Sequence, residues 1–171
     1  MLHIFFNHWF WFFLLALFAC NKNIKEETSA TAQLNGTKYD FEVVTTVYDT
    51  IFSLSLILLE GDVPRLKSYS TKLPFRIGTH NVRPRAFQGS PDYAQSVLYT
   101  MDDDLALDDY LLLEQGINSI TVVGIDEKKK WITGTFKLAY VIDTSFTAKM
   151  DGFPDTLYLQ NGEFKSQYVE N

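Results

Sequence analysis

The chain has 171 residues, 46% of them hydrophobic, and its 15 basic and 21 acidic residues give a formal net charge of −6. An acidic protein lacks the attraction that holds phosphate backbones, so we expect no nucleic acid among its partners. It contains one cysteine and three histidines. Because two of these histidines lie in the first eight residues, within an apolar leader, we predict no metal site and no cofactor.

The N-terminal segment is an apolar run. Residues 4–19 carry no charge and end in the small residue Ala19, a pattern typical of a secretory signal peptide. A bilayer span needs roughly 20 apolar residues, and this run is shorter and is interrupted by Asn7 and His8. The first three residues include no Lys or Arg, which departs from the signal pattern. We predict a signal peptide over residues 1–19, with an uncleaved membrane anchor as the alternative.

Cys20, the only cysteine, follows this run directly. The junction resembles the lipobox of bacterial lipoproteins, in which the thiol receives a diacylglycerol and the signal is cut before it. The resemblance implies lipid attachment at Cys20 and no free thiol for a disulfide or for catalysis. Two or three acyl chains hold a protein on a membrane far more firmly than one. We therefore expect a membrane-anchored protein of the cell envelope.

Residues 20–31 comprise the cysteine and a polar segment without aromatic residues. This composition is typical of a flexible tether between a lipid and a domain. The triplet at 25–27 (KEE) is similar to the acidic export tag of bacteroidete lipoproteins bound for the outer face, although a plain solvated linker would look the same. The expected location is the outer membrane, with its periplasmic or surface face left open.

From Ala32 onward the apolar residues repeat with a period of two, which indicates strands with one packed and one wet face. The longest alternating runs begin at Tyr39, Phe52 and Ile132. In the last run, Phe136 should face the core and Gly134 should lie at a bulge or against an aromatic ring. Shorter candidate strands cover residues 67–72, 96–101, 110–114 and 119–125.

Turn residues separate these strands. Asn35-Gly36 and Asn161-Gly162 are hairpin signals because both residue types tolerate positive φ, and residues 126–129 predict a charged turn. About nine strands predict one all-β domain over residues 32–171, either an antiparallel sandwich or a partly closed barrel. A small helix near residues 102–109 is the one helical alternative.

Three short motifs occur in order along the chain: 34–39 (LNGTKY), 117–136 with its strand, charged turn and WITGTF, and 161–164 (NGEF). With the lipobox, they resemble a family of bacteroidete outer-membrane lipoproteins of unknown function. The resemblance implies an all-β lipoprotein and no assigned chemistry. The proline-rich stretch 64–91 does not match the family pattern.

Two groups of side chains are candidates for binding a ligand. The first consists of basic residues in a proline-rich connection, which would receive an acidic glycan or a lipid headgroup unless they are merely solvated. The second consists of tyrosines that flank the acidic segment and would offer stacking faces unless they pack at strand ends. The six candidates are Arg76, Arg83, Arg85, Tyr93, Tyr99 and Tyr110.

Catalytic signals are weak. His80, the only histidine after residue 8, lies between Gly78 and Asn81, where we expect a surface hydrogen-bonding role. Five aspartates within residues 102–109 would supply oxygen ligands to a cation, but they lack the spacing of a calcium loop, so an acidic surface loop is the preferred interpretation. The chain contains no Gly-x-Ser-x-Gly elbow.

The sequence therefore predicts a lipid-anchored, non-catalytic envelope domain whose partner is the membrane and, in addition, a glycan or an envelope protein. One alternative is an enzyme that acts on glycans with carboxylates such as Asp104 or Asp109, indicated by facing carboxylates with raised pKa values. Another is a barrel that carries a small apolar ligand, indicated by a dry internal cavity.

Overall fold

A computed structural model describes residues 27–85, 92–145, 149–150 and 152–171. The predicted signal peptide, Cys20 and most of the predicted tether lie outside the described residues. Within the described ranges, no helical segment has the length and apolar character needed to cross a bilayer.

The described residues form eleven strands and no helix, so the prediction of an all-β domain is confirmed. The first strand begins at Ser29, inside the segment predicted as tether. In chain order the strands are β1 (Ser29–Leu34), β2 (Thr37–Tyr48), β3 (Ile51–Glu60), β4 (Val63–Pro74), β5 (Gly78–Asn81), β6 (Arg83–Pro84), β7 (Gln95–Asp102), β8 (Leu105–Leu112), β9 (Ser119–Asp126), β10 (Trp131–Ile142) and β11 (Thr156–Glu170).

All eleven strands belong to one sheet, and eight of them close into a ring. The order around the ring is β1, β2, β3, β4, β7, β8, β10 and β11, which returns to β1. β9 pairs with the first half of β10 and carries β5 on its other edge, while the short β6 pairs with β7. This arrangement is consistent with the predicted sandwich or partly closed barrel.

The helix considered near residues 102–109 is absent, and a hairpin takes its place. Asp103 and Asp104 form the turn between β7 and β8, and Asp103 has a φ of 59°. Met101 pairs with Ala106 and Asp102 with Leu105 across this turn. A tight turn suits the aspartates because Asp tolerates the left-handed region and favours turns over helix interiors.

The interior of the ring is filled by side chains that alternate inward along the strands. Ile132, Phe136 and Leu138 are 0%, 3% and 1% exposed, which confirms the predicted inner face of β10. On β3, Phe52, Leu54 and Leu56 are buried as predicted. The ring therefore encloses a packed core.

One polar cluster lies inside this core. The Tyr140 hydroxyl is 2.7 Å from Ser68 Oγ and 2.8 Å from Ser96 Oγ, and Ser70 Oγ donates to Ser96 Oγ at 2.8 Å. Burial raises the pKa of Tyr140 to about 12, although both serine hydrogen bonds act in the opposite direction. Because these buried hydroxyls bond to one another, each of the four has a hydrogen-bond partner.

β10 and β11 join through two reciprocal glycine–phenylalanine pairs. Gly134 on β10 lies opposite Phe164 on β11, and Phe136 on β10 lies opposite Gly162 on β11. A Cβ atom added at Gly134 would lie 2.6 Å from Phe164 Cε1, and one added at Gly162 would lie 2.4 Å from Phe136 Cε2. Each glycine thus leaves room for the ring across from it, which confirms the prediction for Gly134. The same packing explains the glycines of the WITGTF and NGEF motifs.

The hairpin predicted at Asn161-Gly162 is wrong, because both residues lie within the continuous strand β11. Asn161 has a φ of 50°, and the register between β10 and β11 shifts at this point, opposite residues 136–138. Positive φ therefore produces a bulge here, since a bulge residue needs the same backbone region as a hairpin turn. Asn35-Gly36 does form the predicted turn, between β1 and β2.

Candidate functional site

The structure separates the six candidate binding residues into different regions. Arg83, Arg85, Tyr93 and Tyr99 lie on or beside β6 and β7, whereas Arg76 lines another groove, with Ile77, Ile125 and Lys128 among its neighbours. Tyr110 offers no face to a ligand, because its side chain is fully buried and its hydroxyl donates to the Pro154 carbonyl at 3.2 Å. The inward alternation of β8 places it in the core.

β6 brings two arginines next to tyrosines. Arg83 and Pro84 pair in parallel with the first residues of β7, so Arg85, the next residue, lies beside that strand. Arg85 Nη1 donates to the Tyr99 hydroxyl at 2.8 Å. The Arg83 guanidinium lies 5.4 Å from the centroid of the Tyr93 ring, within the range of a cation–π contact.

Tyr99 is the centre of a cross-strand row on the outer face of the ring. Ile57 on β3, Lys67 on β4, Tyr99 on β7 and Asp109 on β8 are successive direct neighbours in this row. Tyr69 lies diagonally from Tyr99, because it pairs with residue 97 of β7. Diagonal neighbours on paired strands lie within reach of aromatic side chains, so the two tyrosines belong to one surface.

A groove runs between these side chains. One part, of about 250 Å³, is lined by Lys67, Tyr69, Tyr99, Met101 and Ala106. An adjoining part, of about 320 Å³, shares Lys67 and Met101 with it. Both parts are open to solvent. We call the two together the outer groove; the residues that complete its lining are Ile57, Pro64, Asp103 and Asp104.

Tyr99 in the outer groove and Asp109 beside it have raised pKa values. Burial raises the pKa of Tyr99, against the opposing effect of the Arg85 guanidinium and with a smaller contribution from Asp109. Burial also raises the pKa of the Asp109 carboxyl, again opposed by Arg85, and the carboxylates of Asp143 and Asp108 add to the rise. These groups therefore lie in a partly desolvated environment.

Lys67 is the cation that lines both parts of the outer groove. In the part of the chain that the structure describes, its ammonium has no ion pair or hydrogen bond, whereas Arg65, two residues earlier, pairs with Glu60 at 3.1 Å and with Asp102 at 3.6 Å. Lys67 is also partly buried, between the cross-strand neighbours Ile57 and Tyr99. An unpaired charge in such a position is available to a bound anion.

His80 and Asp108 do not join this site. His80 is 8% exposed, and its Nε2 lies 3.0 Å from the Arg76 carbonyl oxygen, so the expected surface position is wrong. Pairing of β5 with β9 turns this side chain inward, opposite Ile120. Both carboxylate oxygens of the buried Asp108 accept from the Met150 N–H, at 3.1 and 2.9 Å. Among the described residues, no group of three acidic, histidine or cysteine side chains is arranged for a metal ion.

Sequence reasoning identified Arg85 and Tyr99 but missed Lys67, Tyr69 and Met101. The alternation within residues 67–72 placed Lys67 and Tyr69 on one face of a strand, and this was the available signal. The register between β4 and β7 decides which residue of β7 lies beside Lys67 and Tyr69. The paired residues of these two strands are about thirty positions apart in the chain, so a local pattern does not contain this information.

No protein-family model, curated protein or solved structure matches this chain. The resemblance to bacteroidete lipoproteins therefore stays a prediction from the sequence motifs. The chemistry of the outer groove is the basis on which a function can be proposed.

Proposed function

We propose that this chain is a lipid-anchored, non-catalytic domain of the bacterial outer membrane that binds a ligand through the outer groove. One observation carries the proposal. Tyr69 and Tyr99 share a partly apolar groove on the outer face of paired strands with Lys67, which has no ion pair within the described part of the chain. Aromatic faces with a few convergent polar groups are typical of binding sites, and strands hold them in a fixed geometry.

The anchor is proposed from Cys20 and from where the sheet begins. Thr28 is already fixed to the domain, since its Oγ1 accepts from the Gln167 N–H at 3.3 Å. The residues between Cys20 and Thr28 are therefore the connection to the lipid. Even a fully extended chain of this length spans at most roughly 30 Å. The domain would thus remain close to the membrane and would meet ligands of the envelope.

A glycan-acting enzyme is the second candidate, because the pKa of Asp109 is raised and Asp143 contributes to that rise. Two features favour binding instead. Asp108, the nearest carboxylate in sequence, is held inward by the Met150 N–H, and the Arg85 guanidinium opposes the rise in the pKa of Asp109. Carriage of an apolar ligand inside the ring is disfavoured because Phe52, Leu98 and Tyr140 fill the interior.

Replacing Cys20 by Ser is expected to abolish lipid attachment, because serine has no thiol to receive the diacylglycerol. Cells expressing the full chain are grown with a labelled fatty acid, and the label in the purified protein is measured. The native chain should be labelled and Cys20→Ser should not be. Equal labelling of the two chains would disprove the anchor without affecting the proposal for the groove.

Replacing Tyr69 by Ala is expected to weaken ligand binding, because the variant loses one of the two aromatic faces of the groove. The purified full chain in detergent micelles is applied to an immobilised array of bacterial polysaccharides, peptidoglycan fragments and envelope proteins. A matched control is Tyr158→Ala on β11, since Tyr158 is 41% exposed and Tyr69 is 39% exposed. Binding should fall in Tyr69→Ala alone.

Three outcomes would contradict the proposed function. The first is that the native chain binds nothing on the array, and the second is that both tyrosine variants bind as the native chain does. The third is cleavage of a bound glycan that disappears in Asp109→Asn, which would assign the enzymatic alternative.

A further inference from the structure

We infer that the outer groove takes a saccharide with one anionic group per ring, such as a uronic acid. This inference rests on the proposed function and names the ligand class of the same site. The observations that carry it are the tyrosine pair of Tyr69 and Tyr99, the ammonium of Lys67, which has no ion pair among the described residues, and the carboxylates of Asp103 and Asp104 in the lining.

The apolar part of the groove suits the flat face of a sugar ring. Tyr69, Tyr99, Met101 and Ala106 line a shallow, open surface of about 250 Å³. Tyrosine combines an apolar ring with a polar hydroxyl, so one ligand can stack on the ring and bond to its rim. A pyranose has the matching form, with C–H groups on its faces and hydroxyls around its edge.

Lys67 requires the ligand to carry an anion. A purely apolar ligand would cover the ammonium without giving it a partner, and burial of an unpaired charge is costly. A carboxylate over Lys67 would instead form a charge-assisted hydrogen bond, which is among the stronger polar contacts. Arg85, which is held against Tyr99 at 2.8 Å, adds positive potential on the same side.

The acidic residues limit the charge of the ligand. Asp103 and Asp104 line one part of the groove, and Asp109 follows Tyr99 in the cross-strand row. Ionised carboxylates accept hydrogen bonds from hydroxyl groups but repel further negative charge. A polyphosphate or a highly sulfated chain has a higher charge density and would meet more of this repulsion than a sugar with one carboxylate per ring, whose hydroxyl groups also find acceptors in the groove lining.

A protein partner fits less well. The cores of protein interfaces are depleted of Lys and Asp, yet Lys67 lies at the junction of the two parts of the groove. A stable interface also buries about 800 Å² on each partner, and Asp103 and Asp104 in the groove lining would have to be desolvated to reach that area.

The test is calorimetric titration of the full chain, in detergent micelles, with trigalacturonate and with galactotriose as its neutral counterpart. The native chain should bind trigalacturonate about tenfold or more tightly than galactotriose, the effect of one charge-assisted hydrogen bond. Lys67→Gln should remove this preference, while Lys38→Gln, an exposed lysine on β2, should keep it. Sodium acetate as the titrant shows whether the anion binds without the sugar.

Equal affinity of the native chain for the charged and neutral trisaccharides would overturn the inference, as would a preference that survives in Lys67→Gln. Acetate binding as tight as that of trigalacturonate would also overturn it, since the sugar ring would then contribute nothing. If the array shows Tyr69-dependent binding of a neutral glycan or a protein, the proposed function stands and this ligand class is wrong. If no ligand depends on Tyr69, both fail.

Discussion

Replacing Phe136 by Ala is expected to lower the free energy of unfolding by about 3–5 kcal/mol, the usual cost of truncating a buried phenylalanine. The ring is 3% exposed and covers Gly162 of the neighbouring strand. Its centroid lies 6.5 Å from that of Phe164, the second ring of the reciprocal pairs. Truncation would leave a cavity beside the bulge of β11. Urea unfolding of the full chain, followed by circular dichroism, measures the change.

Val123→Ala provides the control for this measurement. Val123 lies on β9, beside β10, and is 61% exposed, so its truncation should change the free energy of unfolding by less than about 0.5 kcal/mol. The two variants therefore separate a core position from a surface position in adjacent strands. If Phe136→Ala lowered the free energy of unfolding as little as Val123→Ala, the assignment of the inner and outer faces of β10 would have to be reversed.

The faces of the strands could be predicted from the sequence because alternation is a local property. On β10 the prediction held along the predicted run, but on β2 it held only in part. Phe41 and Val43 are buried, whereas Tyr39, on the same face, is 38% exposed. Tyr39 lies near the Asn35-Gly36 turn, opposite Ala32 of β1. Alternation predicts which side a residue faces, and depth within the ring depends on the other strands.

The two Asn-Gly pairs show a second limit of sequence prediction. Asn35 and Asn161 have φ values of 49° and 50°, so the local preference for positive φ was correct at both positions. The chain reverses at the first pair and continues along β11 at the second. Continuation depends on pairing with β10, where Phe136 occupies the space that Gly162 leaves. No signal within four residues of Asn161 contains that information.

The candidate site shows the same division between local and non-local information. Arg85 and Tyr99 were predicted as separate members of two groups, and their hydrogen bond arises because β6 pairs with β7. Tyr110 was grouped with Tyr99 because both flank the aspartates, but β8 turns Tyr110 into the core. Predicting the outer groove would require knowing the register in which β3, β4, β7 and β8 pair, and this register cannot be read from a single sequence.

Replacing Gly134 by Ala is expected to cost about 3 kcal/mol or more, at the upper end of the range for overpacked positions. An added Cβ would lie 2.3 Å from the Thr121 carbonyl oxygen and 2.6 Å from Phe164 Cε1. A side chain can rotate away from a methyl group, but this carbonyl belongs to β9, which pairs with β10 around this position. Relief would therefore require the two strands to separate and lose pairing. Urea unfolding of the full chain measures the loss.

Gly152→Ala is the matched control, because a Cβ atom at Gly152 would meet no atom within 4 Å and the backbone there has no positive φ. It should be neutral or slightly stabilising, since alanine reduces the conformational entropy of the unfolded chain. A large loss in Gly134→Ala beside a neutral Gly152→Ala would show that glycine is needed at 134 for the close approach of β9 and Phe164. Similar free energies of unfolding for the two variants would mean that β9 and β10 are farther apart than described. The packing explanation of the WITGTF motif would then be wrong.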